Sequence, residues 1–334
     1  MRFEKVCIEA LSYELPPQVL TTAALESALG PLYSRLGVQP GWLEAVTGIR
    51  ERRMWAPGDD AVAAASRACD KALEEAGVPR SQVDVLVSCS VYKAQLEPSV
   101  ACRVHHDLGL RPGAMNFDVG NACLGLLSGM QVVGNMIELG QARAGLVVAG
   151  ECSREVTGNT IAKLLEPDAD IQRYRENLAT LTLGSAAAAV LLVDRSLSVS
   201  GHRFTGGVTL SASQHAGLCY GDNRGMTTDP TRLLAEGVRL ARQTWDSFRR
   251  EQGDSSAFAL HQVGKANHDT VCRALGIDDR RALRIYPEIG NVGAASVAIA
   301  AGMSVEQGAV RPGEGLTLMG IGSGLNVSML RVDW

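Results

Sequence analysis

A run of 19 residues without a charged side chain, Val119 to Ile137, constrains the fold of this chain more than any other feature. Its length raises the question of a membrane span. However, polar side chains inside it, such as Asn121 and Gln131, would each cost kilocalories in hydrocarbon. The run therefore predicts a helix buried in protein. Its one cysteine, Cys123, is then either core packing or a nucleophile held inside a core.

Composition indicates a globular protein and argues against a polyanion as its partner. The chain has 334 residues, 46% hydrophobic and 20% charged, with a formal net charge of -4. A pI near 5.9 and the lack of a Lys/Arg-rich stripe argue against nucleic acid or an anionic membrane as a partner. Glu4 and Glu9 interrupt the stretch where a secretory signal needs an apolar core. We expect a cytoplasmic protein with no integral membrane segment.

The eight cysteines show no metal or dithiol spacing, because the closest two, Cys89 and Cys102, are 13 residues apart. His105 and His106 are adjacent rather than four residues apart on one helix face. We therefore expect no metal site. Most of the cysteines are expected to be small buried apolar residues.

Strands and helices alternate along the first half of the chain. "VDVLVSCSV" (83–91), "AMNFDV" and "RAGLVVAGE" read as strands, with helices over "PSVACRVHHDLGL" and over Ala122 to Leu139. This is a βαβαβ pattern with helices covering a sheet. A polar, helical insertion follows at about 153–178, and then "LTLGSAAAAVLLVD" reads as a tightly packed strand.

The second half, from about Leu197, repeats the same architecture without repeating the sequence. "RFTGGVTLSAS" and "AFALHQV" read as strands, and Thr231 to Glu251 as a long amphipathic helix. "GNVGAASVAIAAGM" predicts a turn feeding a small-residue helix, and "GLTLMGIGSGLNVSMLRVDW" two strands around a glycine turn. We predict two halves, 1–196 and 197–334, related by a pseudo-twofold axis.

Three side chains lie at equivalent ends of this scheme. Cys123 follows a strand and begins a helix, His261 ends a strand, and Asn291 lies in a turn before another helix. Because the carboxyl ends of central strands converge on the ligand crevice of such sheets, the three are expected to meet there. A helix N-terminus favours a thiolate, a histidine manages its proton, and an amide stabilises an oxyanion.

Each feature also has an ordinary structural interpretation. Cys123 alone is more often core packing, and His261 at a strand end is equally well a structural histidine. The glycines of "GIGSGLN", residues 320–326, let backbone N–H groups approach a thioester carbonyl, but "GIGSG" is also an ordinary hairpin turn. It is a poor dinucleotide motif because a strand follows it. The order and surroundings of the features distinguish the interpretations.

Four segments together resemble a known family. "FDVGNACLGLLSGM", "LHQVGKANHDTV", "EIGNVGAASVAIAAG" and "LMGIGSGLNVSM" are similar to the active-site segments of thiolase-superfamily condensing enzymes of the ketosynthase III branch. The resemblance covers essentially the whole chain. It implies an α/β thiolase fold of five layers, αβαβα, a homodimer or a heterodimer with a homologous subunit, and the catalytic triad Cys123, His261 and Asn291.

Within that branch, "YKAQLEPSVACRV" resembles the OleA-type enzymes of olefin biosynthesis, in which a glutamate of a matching "LEPS" stretch reaches the partner subunit's active site. The resemblance implies that Glu97 is a base that removes an α-proton, which a malonyl-using enzyme does not need. The alternative for Glu97 is a charge favourable at a helix N-terminus beside Pro98.

The implied reaction joins two long-chain acyl-CoA molecules through an acyl-cysteine, with no cofactor, and releases a 2-alkyl-3-keto product for an olefin or β-lactone pathway. The backbone N–H groups of Cys123, Gly322 and Gly324 are expected to hold the oxyanion. The matching serine, Ser323, is expected to support Asn291 or His261 by hydrogen bonding.

Coenzyme A recognition is less clearly encoded. Family members use residues around "GWLEAVTGIRERR", so Trp42 is a candidate to stack on adenine. The arginine found in fatty-acid initiating synthases is replaced by Val46, and residues 50–53 are equally well a solvated face.

Two other functions fit the same sequence. One is a ketosynthase III that condenses an acyl-CoA with a malonyl carrier protein, for which Glu97 would be dispensable. The other is a partner subunit that donates Glu97 while a second chain performs the cysteine chemistry.

Overall fold

In this computed structural model, which describes residues 1–222 and 224–334, nine of the thirteen strands form one mixed sheet with strands from both halves. The other four strands form two separate two-stranded sheets. The strands are β1 (Val6–Glu14), β2 (Gln18–Thr21), β3 (Glu51–Met54), β4 (Val85–Ser88), β5 (Met115–Asp118), β6 (Ala144–Glu151), β7 (Ala186–Asp194), β8 (Arg203–Ser211), β9 (Cys219–Asp222), β10 (Gly225–Thr228), β11 (Ala257–Leu260), β12 (Gly315–Gly322) and β13 (Asn326–Asp333).

The α-helices lie between these strands, with short 3-10 turns among them. They are α1 (Thr22–Ala28), α2 (Gly30–Leu36), α3 (Trp42–Thr47), α4 (Ala61–Ala76), α5 (Val100–Asp107), α6 (Gly125–Glu138), α7 (Arg154–Leu165), α8 (Ile171–Glu176), α9 (Pro230–Gln252), α10 (Lys265–Leu275), α11 (Tyr286–Ile289) and α12 (Ser296–Glu306).

The sheet order is β11-β12-β13-β8-β1-β7-β6-β4-β5, so each half contributes a contiguous set of strands. The two sets meet where β1 pairs with β8, at Cys7 and Arg203. Pairing is parallel between β4 and its neighbours β5 and β6, and between β11 and β12. The strand β5 lies at one edge of the sheet.

Helices cover both strand sets and also fill the space between them. On the outer side of the N-terminal strands, α4 packs on β1, β6 and β7, and on the outer side of the C-terminal strands α9 packs on β8 and β13. The central layer consists of α6 and α12, whose apolar side chains share one buried core with strands of both halves. The predicted five-layered αβαβα arrangement is confirmed.

Small residues let the central helices lie close to the sheets. A Cβ atom added at Gly129 of α6 would lie 2.5 Å from the Cys89 Sγ and 2.7 Å from a methyl of Val147. An uncharged helix suits this layer because a charge there would have no water on either side. None of the described helices is long and apolar enough to cross a membrane.

The structure adds elements that hydrophobic periodicity did not indicate. These are the N-terminal helices α1 to α4 with the β2–β3 pair, the β9–β10 hairpin and the short helix α11. The predicted helical insertion is present as α7 and α8. The boundary at 196/197 falls between β7 and β8. The two-half division stays an interpretation of the sequence because both halves share one sheet and one core.

The close approach of α6 predicts a difference between two glycine substitutions. Gly129→Ala should destabilise the protein by about 1–3 kcal/mol, because the new methyl overpacks against Cys89 and Val147. Gly158→Ala is the matched control in α7, where nothing lies within 4 Å of the added Cβ. It should stabilise by about 0.5–1 kcal/mol through helix propensity. Denaturant unfolding measures both. Equal effects of the two substitutions would contradict this packing.

Candidate active site

The three side chains predicted to meet line one cavity of about 430 Å³. Cys123 comes from the turn before α6, His261 from the end of β11, and Asn291 from the turn before α12. The helices α6 and α12 belong to the central layer, so the site lies at the carboxyl ends of strands where both halves meet. This is the convergence that the sequence pattern predicted.

A strained turn presents Cys123 to the cavity. The preceding residue, Ala122, has a φ of 45°, which is unusual for a residue other than glycine. The chain then passes through a 3-10 turn, Ala122–Leu124, into α6 rather than entering the α-helix at Ala122 as predicted. Asn121 fixes this turn, since its Nδ2 donates to Ser128 at 2.9 Å and its Oδ1 accepts from Asn326 at 3.1 Å.

The environment of Cys123 does not favour a resting thiolate, so our expectation of thiol activation by the helix N-terminus was wrong. Burial, followed by the negative charge of Glu151, raises the pKa of the Cys123 thiol to about 12. The thiol is therefore protonated at neutral pH. Its proton must leave during attack on a thioester, which requires a neighbouring base.

His261 is neutral at physiological pH and so is able to act as that base. Burial lowers the pKa of its imidazole to about 4. The backbone N–H of His261 donates to the Met319 carbonyl at 2.8 Å, which ties the residue to β12. Its Nδ1 is buried with no hydrogen-bond partner among the described residues. A neutral imidazole with a free ring nitrogen can accept a proton there or donate to an oxyanion from the other nitrogen.

Asn291 is held on both sides of its backbone and by its own side chain. Its N–H donates to the Thr182 carbonyl at 2.9 Å, and its carbonyl accepts from Gly184 at 2.8 Å. Its Oδ1 accepts from the Gly293 N–H at 3.1 Å. The oxygen end of the amide is thereby occupied, which leaves the NH₂ group to donate to a ligand in the cavity.

The glycine turn between β12 and β13 lines the cavity and packs against the turn that carries Cys123. A Cβ atom at Gly322 would lie 3.0 Å from the Asn121 carbonyl and 3.1 Å from the Leu124 Cβ, so only glycine permits this approach. Gly324, in the same turn, has a φ of 137°. Ser323 lines the cavity and hydrogen-bonds to the thiol of Cys219. Its predicted support of Asn291 or His261 stays a prediction.

Two predicted residues lie outside this cavity. Glu97 lies on an exposed segment between β4 and α5 and is not among the described residues that line the cavity. Trp42, at the start of α3, packs on Tyr174 with ring centroids 5.6 Å apart, in a separate apolar cluster. Its predicted contact with adenine stays a prediction.

Proteins that are similar to this chain in sequence and fold include condensing enzymes. Residues 249–334 match the family model described as 3-oxoacyl-[acyl-carrier-protein] synthase III C terminal. An acyl-CoA:acyl-CoA alkyltransferase of Shewanella oneidensis is 40% identical, covering 100% of both chains. A structure of Xanthomonas campestris OleA, a cysteine-to-serine variant with bound lauric acid and lauroyl-CoA, is 37% identical with a TM-score of 0.97, covering 99% of this chain and 100% of that one.

This chain belongs to the ketosynthase III branch of the thiolase superfamily. A β-ketoacyl-[acyl-carrier-protein] synthase III of Rhodospirillum rubrum is also similar, at 28% identity over 88% of this chain and 90% of that protein. The chain is thus an acyl-transferring condensing enzyme with the thiolase fold.

Sequence reasoning missed several residues that line the cavity of this ketosynthase III enzyme. Glu151 ends β6 and is only 5% exposed. Cys152 and Cys219 also line the cavity, and Cys102 is exposed. The expectation that most of the cysteines are buried was therefore wrong, since only four of the eight are: Cys7, Cys69, Cys89 and Cys272. Glu151 was detectable in the sequence, because it is a carboxylate at the last position of the apolar strand "RAGLVVAGE". Ligands of such sheets bind at the carboxyl ends of the strands.

Away from the cavity, one group of potential metal ligands occurs among the described residues. It consists of His268, Cys272 and Asp279, whose ligand atoms lie within 4.8 Å of one another. The Arg284 guanidinium lies 2.6 Å from Asp279 and 3.1 Å from Asp269. The carboxylates already have a cationic partner, which favours a structural polar cluster over a metal centre.

The raised thiol pKa predicts how Cys123 reacts with iodoacetamide. Because the thiolate is the nucleophile, alkylation of Cys123 should increase about tenfold per pH unit from pH 7 to 9.5 without levelling off. Mass spectrometry of the peptide that contains Cys123 measures the rate, and the peptide of exposed Cys102 provides the internal reference. A plateau near pH 7 would show that the resting thiol is ionised instead.

Proposed function

We propose that this enzyme joins two long-chain acyl-CoA molecules by a non-decarboxylative Claisen condensation. The observation that carries the proposal is the meeting of Cys123, His261 and Asn291 in one largely apolar cavity. Names of similar proteins support the substrate class, since the Shewanella relative is an acyl-CoA:acyl-CoA alkyltransferase and the Xanthomonas structure holds lauroyl-CoA.

In the first half of the reaction, the Cys123 sulfur attacks the thioester carbonyl of one acyl-CoA. Neutral His261 takes the thiol proton as the bond forms and returns it to the departing CoA sulfur. The backbone N–H groups of Cys123, Gly322 and Gly324 are the candidate donors to the tetrahedral oxyanion. The acyl group remains on Cys123.

In the second half, another acyl-CoA binds with its thioester oxygen toward His261 and Asn291. Both can donate a hydrogen bond, so the enolate that follows loss of an α-proton is stabilised. The α-carbon attacks the acyl-cysteine carbonyl, the carbon–sulfur bond breaks, and the Cys123 thiolate takes up the proton that the base removed from the α-carbon. The product is a 2-alkyl-3-ketoacyl-CoA, which hydrolysis converts into a β-keto acid for an olefin or β-lactone pathway.

The α-proton needs a base, which we assign to Glu97 of the partner subunit. Glu97 lies outside its own cavity, and its neighbour Leu96 is 91% exposed, as expected for a segment covered by a second chain. The strand β5 leaves one edge of the sheet unpaired within the chain and exposes Met115. Pairing of two β5 edges in a homodimer, or in a heterodimer with a homologous subunit, would cover this edge.

Two apolar walls of the cavity suit two alkyl chains. One is formed by α9 together with residues of β12 and α10, and it includes Leu233, Val238, Val271 and Ile321. The other lies toward α7 and the β9–β10 hairpin and includes Val156, Leu183 and Met226. Burial of methylene groups contributes about 0.8 kcal/mol each, so long chains gain most from such walls.

The proposal predicts that lauroyl-CoA alone is a sufficient substrate. The enzyme should acquire one lauroyl group on Cys123 by mass spectrometry and release the condensed β-keto acid or its ketone breakdown product. Cys123→Ala should do neither. Free CoA without condensed product would contradict the proposal and indicate a thioesterase. Product formed only with a malonyl carrier protein would indicate a fatty-acid initiating synthase.

Donation of Glu97 between subunits predicts complementation. Glu97→Gln should retain acylation of Cys123 but lose condensation about 10²- to 10⁴-fold, because the general base is missing. Cys123→Ser should lose both steps. In co-expressed, randomly mixed dimers, half are mixed and each mixed dimer has one complete site of two, so activity should return to about a quarter of the wild-type value.

Glu251→Gln, at the exposed end of α9, is the matched control for Glu97→Gln and should leave both steps unchanged. No recovery of activity in the mixed dimers would show that Glu97 acts within its own subunit or not at all. If the purified chain does not become acylated at all, a role as a non-catalytic partner subunit would be favoured instead.

A further inference from the structure

The cavity contains a carboxylate to which the proposed reaction assigns no task. Glu151 ends β6, lines the cavity beside Cys123 and is 5% exposed. Burial raises the pKa of its carboxyl group, and three backbone N–H groups lower it. A buried carboxylate is costly unless its hydrogen bonds are satisfied, so the partners of Glu151 indicate what it holds.

Those partners belong to two different parts of the site. The Val91 N–H donates to Oε1 at 2.9 Å and the Tyr92 N–H to Oε2 at 3.0 Å, both at the start of the segment that carries Glu97. The Ala294 N–H donates to Oε1 at 3.1 Å, in the turn that carries Asn291. One carboxylate therefore joins two elements that are about 200 residues apart in sequence.

The Glu151 carboxylate has little room to move, because neighbouring atoms pack closely against it. A Cβ atom added at Gly293 would lie 3.0 Å from the Glu151 Cδ and 3.1 Å from its Oε1, and Gly293 has a φ of 53°. The other end of the Glu97 segment is also anchored, since Asp118 accepts from the N–H groups of Val100 and Ala101 at 3.2 and 2.9 Å. Glu151 and Asp118, at the ends of two strands, thus fix both ends of the segment.

We propose that Glu151 is a positioning residue for the condensation step, because it fixes the segment that carries Glu97 relative to the turn that carries Asn291. The inference rests on the proposed function. Glu97 delivers the base to the partner's site, and Asn291 holds the enolate in its own site. Glu151 therefore connects the condensation machinery of two sites, and its hydrogen-bond donors Val91, Tyr92 and Ala294 are not among the three N–H groups assigned to the acylation oxyanion.

The charge of Glu151 also affects the thiol. The other titratable groups that line the cavity, apart from Cys123 and Tyr92, are Lys93, Cys152, Glu155, Cys219, Asp222 and His261. Of these, only Cys219 joins Glu151 in raising the pKa of Cys123, and burial raises the pKa of Cys219 as well, so its thiol is neutral at pH 7. Glu151 is thus the carboxylate whose negative charge raises the pKa of Cys123.

Two substitutions separate the effect of the position of the Glu151 carboxylate from the effect of its charge. Glu151→Gln removes the charge and one of the two acceptor oxygens, so condensation of lauroyl-CoA should fall about 10²-fold through misplacement. Acylation of Cys123 should be retained. Alkylation of Cys123 by iodoacetamide at pH 8 should become faster, because removal of the Glu151 charge lowers the pKa of the thiol. A merely structural loss would instead lower acylation of Cys123 together with condensation.

Glu151→Asp keeps the charge but withdraws it by one methylene. Condensation should fall as in Glu151→Gln, whereas the alkylation rate should stay at the wild-type value. Wild-type condensation with either variant, or parallel loss of acylation and condensation, would overturn the inference. Wild-type enzyme run in the same assay tests the proposed function separately, and if it forms no condensed product the inference falls with that function.

Discussion

The enclosure of two uncharged helices between two layers of strands is the constraint on which the site depends. Eight of the fourteen residues of α6 and eight of the eleven residues of α12 are buried, and the two helices share one core with strands of both halves. Both helices begin at the carboxyl ends of strands. Their N-terminal turns, which carry Cys123 and Asn291, therefore face the same water-poor cavity.

Burial sets the protonation states from which the chemistry starts. It raises the pKa of the Cys123 thiol and lowers that of His261, so the two groups are neutral together at pH 7. A neutral pair avoids placing charges in a medium of low dielectric constant. In the proposed reaction, the thiol proton moves to His261 as the sulfur attacks the thioester.

Much of the fold was predictable because the periodicity of apolar residues is a property of short segments of the sequence. The strands β4 to β8 and the helices α5, α6, α9 and α12 were located from such patterns, whereas the αβαβα layering was implied by the family resemblance. The helices α1 to α3 and the β9–β10 hairpin were not predicted, since their contacts are with distant segments rather than with a periodic face of their own. The protonation of Cys123 was mispredicted because a helix N-terminus is a local feature, whereas burial and the Glu151 charge are not.

The sequence by itself determined the family and, through that resemblance, the five-layered architecture, because short motifs carry that information. It also predicted that Cys123, His261 and Asn291 meet, and these three residues line one cavity. Only the tertiary structure decided that Glu151 binds two distant backbone segments, that the thiol rests protonated and that Glu97 lies outside its own cavity. The reason is physical. Desolvation and electrostatic interaction depend on distances through space, which chain folding sets and residue order does not reveal.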